Sequence, residues 1–107
     1  MEKQKKNRTQ IIPVSRMVED IIGCKWSLSV LKAIRNELQR PGEIQRSIDG
    51  ISTKVLNERF VKMMRYGILV KKVHPEVPPR VEYNLTDFGK KFVAILDQIE
   101  NLQNDVS

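Results

Sequence analysis

The apolar positions change period along the chain, and the changes mark out its elements. Val14, Met17, Val18, Ile21 and Ile22 fall at i, i+3, i+4, i+7 and i+8, which predicts a short amphipathic helix with Pro13 in its first turn and Gly23 at its close. Trp26, Val30, Leu31, Ile34 and Leu38 extend the same period into a second helix over residues 25–38. Pro41 starts a short third helix, in which Ile44 and Ile48 lie one turn apart and Gly50 is the stop. Ser52 is a natural N-cap for a fourth helix running to Tyr66, with Leu56, Phe60, Met63 and Met64 as its buried stripe and Gly67 as its end. The period then drops to two. Residues 69 to 73 read as extended, and over 80–85 Val81, Tyr83 and Leu85 alternate with Arg80, Glu82 and Asn84. Thr86 caps a long last helix whose Phe88, Phe92, Ile95, Leu96, Ile99 and Leu102 make another apolar face.

The fold class expected is therefore mainly α with a two-stranded β-ribbon. Helix three, a tight turn and helix four make a helix-turn-helix, and a ribbon follows at once: a winged helix-turn-helix with N- and C-terminal helices expected to serve dimerisation. A lone ribbon is marginal in water, so this one must lie against the helices. Its tip holds Pro75, Pro78 and Pro79, which cannot donate to a ladder. Prolines at a projecting tip stiffen the backbone and leave no edge for stray pairing. With Lys71, Lys72, His74 and Arg80 around it, such a tip suits contact with a phosphate backbone or minor groove.

Size and charge narrow the function. The 107 residues are 40% hydrophobic, enough for one compact domain over 11–107, preceded by a flexible basic arm over 1–10. No apolar run approaches the ~20 residues of a membrane span, and the charged N-terminus lacks the apolar core of a secretory signal. One cysteine, Cys24, cannot form an internal disulfide, which suits a reducing, cytoplasmic setting. The net charge of +6 is unevenly spread: residues 52–80 hold seven basic and two acidic side chains, net +5, whereas 81–107 hold two basic and five acidic, net −3. A concentrated positive field of this kind suits a phosphate-rich partner.

Several strings make the chain familiar. IGCKWSLSVLKAI, DGISTKVLNERF, YGILVKK and PEVPPRVEYNLTDFGKK resemble the HxlR-type winged helix-turn-helix transcriptional regulators over residues 12 to 98, most specifically in the PPRVEY-LT–G pattern. The resemblance implies a dimeric bacterial or archaeal DNA-binding protein, and several members of that family respond to electrophiles or oxidants through cysteine. Departures from the family pattern are local. The Cys-Pro pair that usually precedes the first helix is Ile12-Pro13 here, and the Gly-Gly-Lys-Trp turn is Gly23-Cys24-Lys25-Trp26. The Arg-Phe-x-Glu-Leu element entering the third helix is Arg40-Pro41-Gly42-Glu43-Ile44, and the late tryptophan of the last helix is absent.

These readings converge on candidate residues. A recognition helix presents its N-terminal turns to base edges, which selects Ser52, Thr53, Lys54, Asn57 and Glu58, with Lys62 and Arg65 nearer the backbone. Asn can bond bidentately to adenine and Lys can donate to guanine. On the wing Lys72, His74 and Arg80 are the expected contacts with backbone or minor groove. The partner expected is double-stranded DNA carrying a pseudo-palindromic operator, read by a homodimer across half-sites ~34 Å or a multiple apart. Cys24 reads in two ways, as a redox sensor activated by Lys25 and a helix N-terminus, or as a small buried hydrophobe. His74 has no acid or cysteine at metal-ligand spacing, and no cofactor is called for. No phosphate-cradling glycine loop, GxSxG, HExxH or CxxC supports an enzyme. The competing reading is a winged helix used for protein contact in a larger assembly, for which an apolar patch on the fourth helix would be expected.

Overall fold

In the computed structural model, which describes residues 11 to 106, five helices and one ribbon follow in the expected order. The expected basic arm over residues 1–10 lies outside the described residues. Helix α1 (Val14–Ile22) begins after Pro13, and α2 (Lys25–Arg35) follows with only Gly23 and an extended Cys24 between them. The second helix stops three residues short of the expected 38. Glu37 takes φ 68°, the Leu38 N–H turns back to the Ala33 carbonyl at 3.1 Å, and Leu38 packs on the core from the loop. This is a left-handed helix stop, usually made by glycine, and a glutamate there gives no sequence signal.

Helix α3 (Pro41–Arg46) is also shorter than the expected 41–50. The Ser47 hydroxyl donates to the Ile44 carbonyl at 2.7 Å, the chain leaves the helix, and Gly50 completes the turn at φ 84°. Ile48 stays buried without being helical. Helix α4 (Thr53–Arg65) has the expected cap, the Val55 N–H donating to Ser52 Oγ at 3.1 Å. Strands β1 (Leu69–His74) and β2 (Arg80–Leu85) pair antiparallel, Leu69 opposite Leu85 and His74 opposite Arg80. The last helix, α5 (Asp87–Val106), is ~30 Å long at 1.5 Å per residue.

One core joins all of them. Met17 and Ile21 from α1, Val30, Leu31 and Ile34 from α2, Ile44 from α3, and Leu56, Phe60 and Met63 from α4 meet Phe92, Val93 and Leu96 of α5. Each fully buried side chain of this kind contributes ~1.5–3 kcal/mol. The wing is fastened to this core at Tyr83. Its ring stacks on Phe60 with centroids 3.9 Å apart and planes at 12°, and its N–H donates to the Gln39 carbonyl at 2.8 Å. Helix α4 and the ribbon are thereby packed directly against each other.

The apolar face expected on the last helix divides in two. Phe92, Val93 and Leu96 are buried, but Phe88, Ile95, Ile99, Leu102 and Val106 are exposed on an adjoining face. Ile11, Val14 and Phe88 line one open cleft beside it. The start of α5 is fixed by Thr86, whose N–H donates to the Ile68 carbonyl at 3.0 Å and whose hydroxyl accepts from the Gly89 N–H at 2.8 Å. Gly89 lies so close to the turn before β1 that an added Cβ would come within 2.1 Å of the Ile68 carbonyl oxygen.

Candidate nucleic-acid interface

Helix α4 turns Leu56, Phe60 and Met63 inward and leaves a stripe of Lys54, Asn57, Glu58, Val61, Lys62 and Arg65 along one open groove. From Lys54 to Arg65 this stripe runs ~17 Å, as eleven helical rises require. Ser52 is exposed, its oxygen engaged in the cap, and Thr53 Oγ1 accepts from Gln45 Nε2 at 3.1 Å. That bond ties α3 to the first turn of α4 and sets the angle of the turn between them. Among the described residues Lys54, Asn57, Glu58 and Arg65 make no hydrogen bond or ion pair. Four free polar side chains on one face of a helix can turn toward a ligand without breaking an existing bond.

Lys62 is different. Its Nζ lies 3.1 Å from the Asp20 carboxylate of α1, which also accepts from the Tyr66 hydroxyl at 2.5 Å. The Tyr66 hydroxyl chiefly, with Lys62 and the nearby Arg59, holds the Asp20 carboxyl below the usual range despite its partial burial. The same bond pushes the Tyr66 phenol upward. Lys62 is thus drawn toward α1, at the edge of the stripe.

On the wing, Lys71 and Lys72 are exposed, while His74 and Arg80 are occupied. His74 Nε2 lies 2.9 Å from Glu82 Oε1, and Arg80 bridges to Glu76 at 3.4 Å and Glu82 at 3.5 Å. The His74 hydrogen bond first, then the Arg80 charge, holds the Glu82 carboxyl below its ordinary value. Two of the three wing residues singled out in the sequence therefore already have acidic partners, and Lys72, with Lys71, is the free cation pair. Sequence reasoning had placed Glu82 merely on the polar side of β2. The strand register, which sets Lys72 opposite Glu82 and His74 opposite Arg80, decides this pairing.

Cys24 is half-buried at the N-cap of α2. Burial raises its thiol, but the Ser27 hydroxyl and the backbone N–H groups of Ser27 and Trp26, with the Arg59 charge, outweigh that and leave it lowered. Ser27 is itself fully buried. Sequence reasoning missed Asp20, Arg59 and Val61. A lone acid on an amphipathic helix gives no sign of its partner 42 residues away. Val61 could have been found, since it is an apolar residue off the 56–60–63 stripe.

A tight helical turn whose second helix shows a free polar face, braced against a basic ribbon by a ring stack, is a winged helix-turn-helix. No helix among the described residues is long and apolar enough to cross a membrane. The HxlR-like helix-turn-helix family pattern matches residues 21–106, and the chain belongs to that family of transcriptional regulators. It is 36% identical over 95 residues to the HTH-type transcriptional regulator sll1512 of Synechocystis sp., covering 89% of this chain and 70% of that protein. It is 33% identical to the HTH-type regulator YvaP of Bacillus subtilis, covering 87% and 86%. Among solved structures, diamide-treated YodB of B. subtilis superposes with a TM-score of 0.77 at 26% identity, covering 88% of this chain and 93% of YodB. A MarR-family transcriptional regulator from Enterococcus faecalis V583 superposes with a TM-score of 0.75 at 28% identity, covering 99% and 89%. The redox regulator HypR in its oxidised form gives 0.69 at 28% identity, covering 85% and 94%. The protein is a DNA-binding transcriptional regulator of winged-helix architecture.

Proposed function

We propose that the chain acts as a homodimer that lays α4 in the major groove of a pseudo-palindromic operator and rests its wing on the flanking backbone or minor groove. The observation that carries this is the partner-free stripe of Lys54, Asn57, Glu58 and Arg65, held at a fixed angle to the wing by the Phe60–Tyr83 stack. Asn57 and Lys54, in the first turns, read base edges. Ser52 and Thr53 meet phosphate at the helix start, Arg65 lies toward the backbone, and Lys71 and Lys72 neutralise phosphates beside the wing. The dimer follows from α5, whose Ile95, Ile99, Leu102 and Val106 present an apolar stripe that one small core leaves uncovered.

Binding sites selected from random duplexes, then titrated at several salt concentrations, test the reading. Asn57→Ala should lose ~1–3 kcal/mol on the selected duplex and much less on a scrambled one. Lys72→Ala should weaken both duplexes by a similar factor and shallow the log–log salt slope by ~0.9 per wing. If Asn57→Ala weakens both duplexes equally, the reading of α4 is wrong.

Cys24 supports a second reading, control of DNA binding by thiol chemistry. Its lowered thiol at the α2 N-cap supports it, as does the likeness to YodB and HypR. Treatment with a mild oxidant should then change operator affinity in the wild type and not in Cys24→Ser.

A further inference from the structure

We propose that Val61 is a specificity-determining residue of the recognition helix, reading the C5-methyl group of a thymine in each half-site. The inference rests on the placement of α4 in the major groove. Val61 is 50% exposed and lies on the outer stripe one turn beyond Asn57 and Glu58, opposite the buried Leu56, Phe60 and Met63. Nothing in the fold accounts for it. It does not join the core, and a β-branched residue inside a helix is a poorer helix former than the lysines and the glutamate around it. It is also not among the residues that line the cleft formed by Ile11, Val14 and Phe88.

A position that breaks the local pattern without benefit to the fold is where function is to be sought. The chemistry of the groove supplies the match. Thymine shows there an acceptor oxygen and a methyl group, and the methyl group is the one apolar feature that a base pair presents on the major-groove side. A valine between Asn57 and Arg65 has no hydrogen bond to offer and two methyl groups to bury. Contact would remove apolar surface of both partners from water, whereas cytosine at the same place would set its amino group against an apolar side chain.

Uracil substitution isolates this contact, because it deletes only the methyl group and keeps base pairing. Each thymine of the selected duplex is replaced in turn by deoxyuridine, and the wild type, Val61→Ala and Asn57→Ala are titrated on every duplex. One position per half-site should cost the wild type about 4-fold, the factor for one buried carbon at 25 °C, and about 15-fold when both half-sites are changed. Val61→Ala should bind the unmodified duplex several-fold more weakly and show no loss at that position. Val61→Ala removes exposed atoms and favours the helix, so its fold is safe, and an unchanged helical circular dichroism spectrum checks this. Equal sensitivity of wild type and Val61→Ala at every thymine overturns the proposal. If Asn57→Ala in that case still loses more on the selected duplex than on a scrambled one, the placement of α4 stands and Val61 alone was misread; if Asn57→Ala weakens both duplexes equally, the placement itself fails.

Discussion

Replacing Gly89 by alanine should destabilise the domain severely, although alanine is the better helix former by ~1 kcal/mol and the site is in the first turns of α5. An alanine Cβ would sit 2.1 Å from the Ile68 carbonyl oxygen and 3.0 Å from its carbon, where ordinary contact begins at 3.4 Å. Something must therefore move by over 1 Å, and the obstacle is backbone, not a flexible side chain. That same carbonyl accepts the Thr86 N–H at 3.0 Å, so pushing it away loosens the α5 cap. One weakened hydrogen bond at ~1 kcal/mol and overpacking of ~1–3 kcal/mol, less the gain in propensity, leave a loss of about 2 kcal/mol. The control is Gly67→Ala, where φ is 77° but nothing lies within 4 Å of the added atom. Only left-handed strain of ~1–2 kcal/mol applies there. Urea unfolding followed by circular dichroism at one fixed protomer concentration measures both variants, since a dimer's midpoint depends on concentration. Gly89→Ala equal to or more stable than Gly67→Ala would refute the close-approach argument.

The remaining expectations address the charge pairs, the thiol and assembly. The depressed carboxyl of Asp20 stabilises the fold above its unfolded value, near ~3.9, and that contribution is lost as pH falls through the lower folded value. Wild type should therefore exceed Asp20→Asn by a constant margin, under ~1 kcal/mol for so exposed a pair, from neutral pH to about 5, and the margin should narrow below ~4; a margin that widens in acid would contradict the pairing. Arg80→Ala should reduce the salt slope less than Lys72→Ala does, because Glu76 and Glu82 already neutralise the guanidinium, and equal slopes would count against this. The pH midpoint for alkylation of Cys24 should be lower in the folded chain than in the same chain in urea, and the absence of a difference would remove the thiol reading. Sedimentation at micromolar concentration should show twice the 12.4 kDa protomer mass, falling to one protomer in Ile99→Lys; a wild-type monomer would defeat the proposed dimer.

By itself the sequence determined the order of elements and the position of the helix-turn-helix. Those depend on signals local in the chain: the 3.6-residue period of Leu56, Phe60 and Met63, the Ser52 cap, the Gly67 stop and the alternation through Tyr83. Each is set by neighbours a few residues away, so each can be read without the fold. Helix ends were legible only where glycine or a cap announced them. Glu37 closes α2 in a left-handed conformation that a glutamate adopts at a cost, because the core behind it holds Leu38 in place. What the tertiary structure alone decided is which charges are free. Lys62 and Arg80 look equivalent to Lys54 and Lys72 in the sequence, yet α1 brings Asp20 to the first and the ribbon register brings Glu82 to the second. Likewise the glycine of the LT–G pattern shows its meaning only when α5 passes the Ile68 carbonyl, in the turn just before β1. Local periodicity follows from the geometry of one element, but pairing and close approach depend on the relative placement of two, which distant parts of the chain settle together.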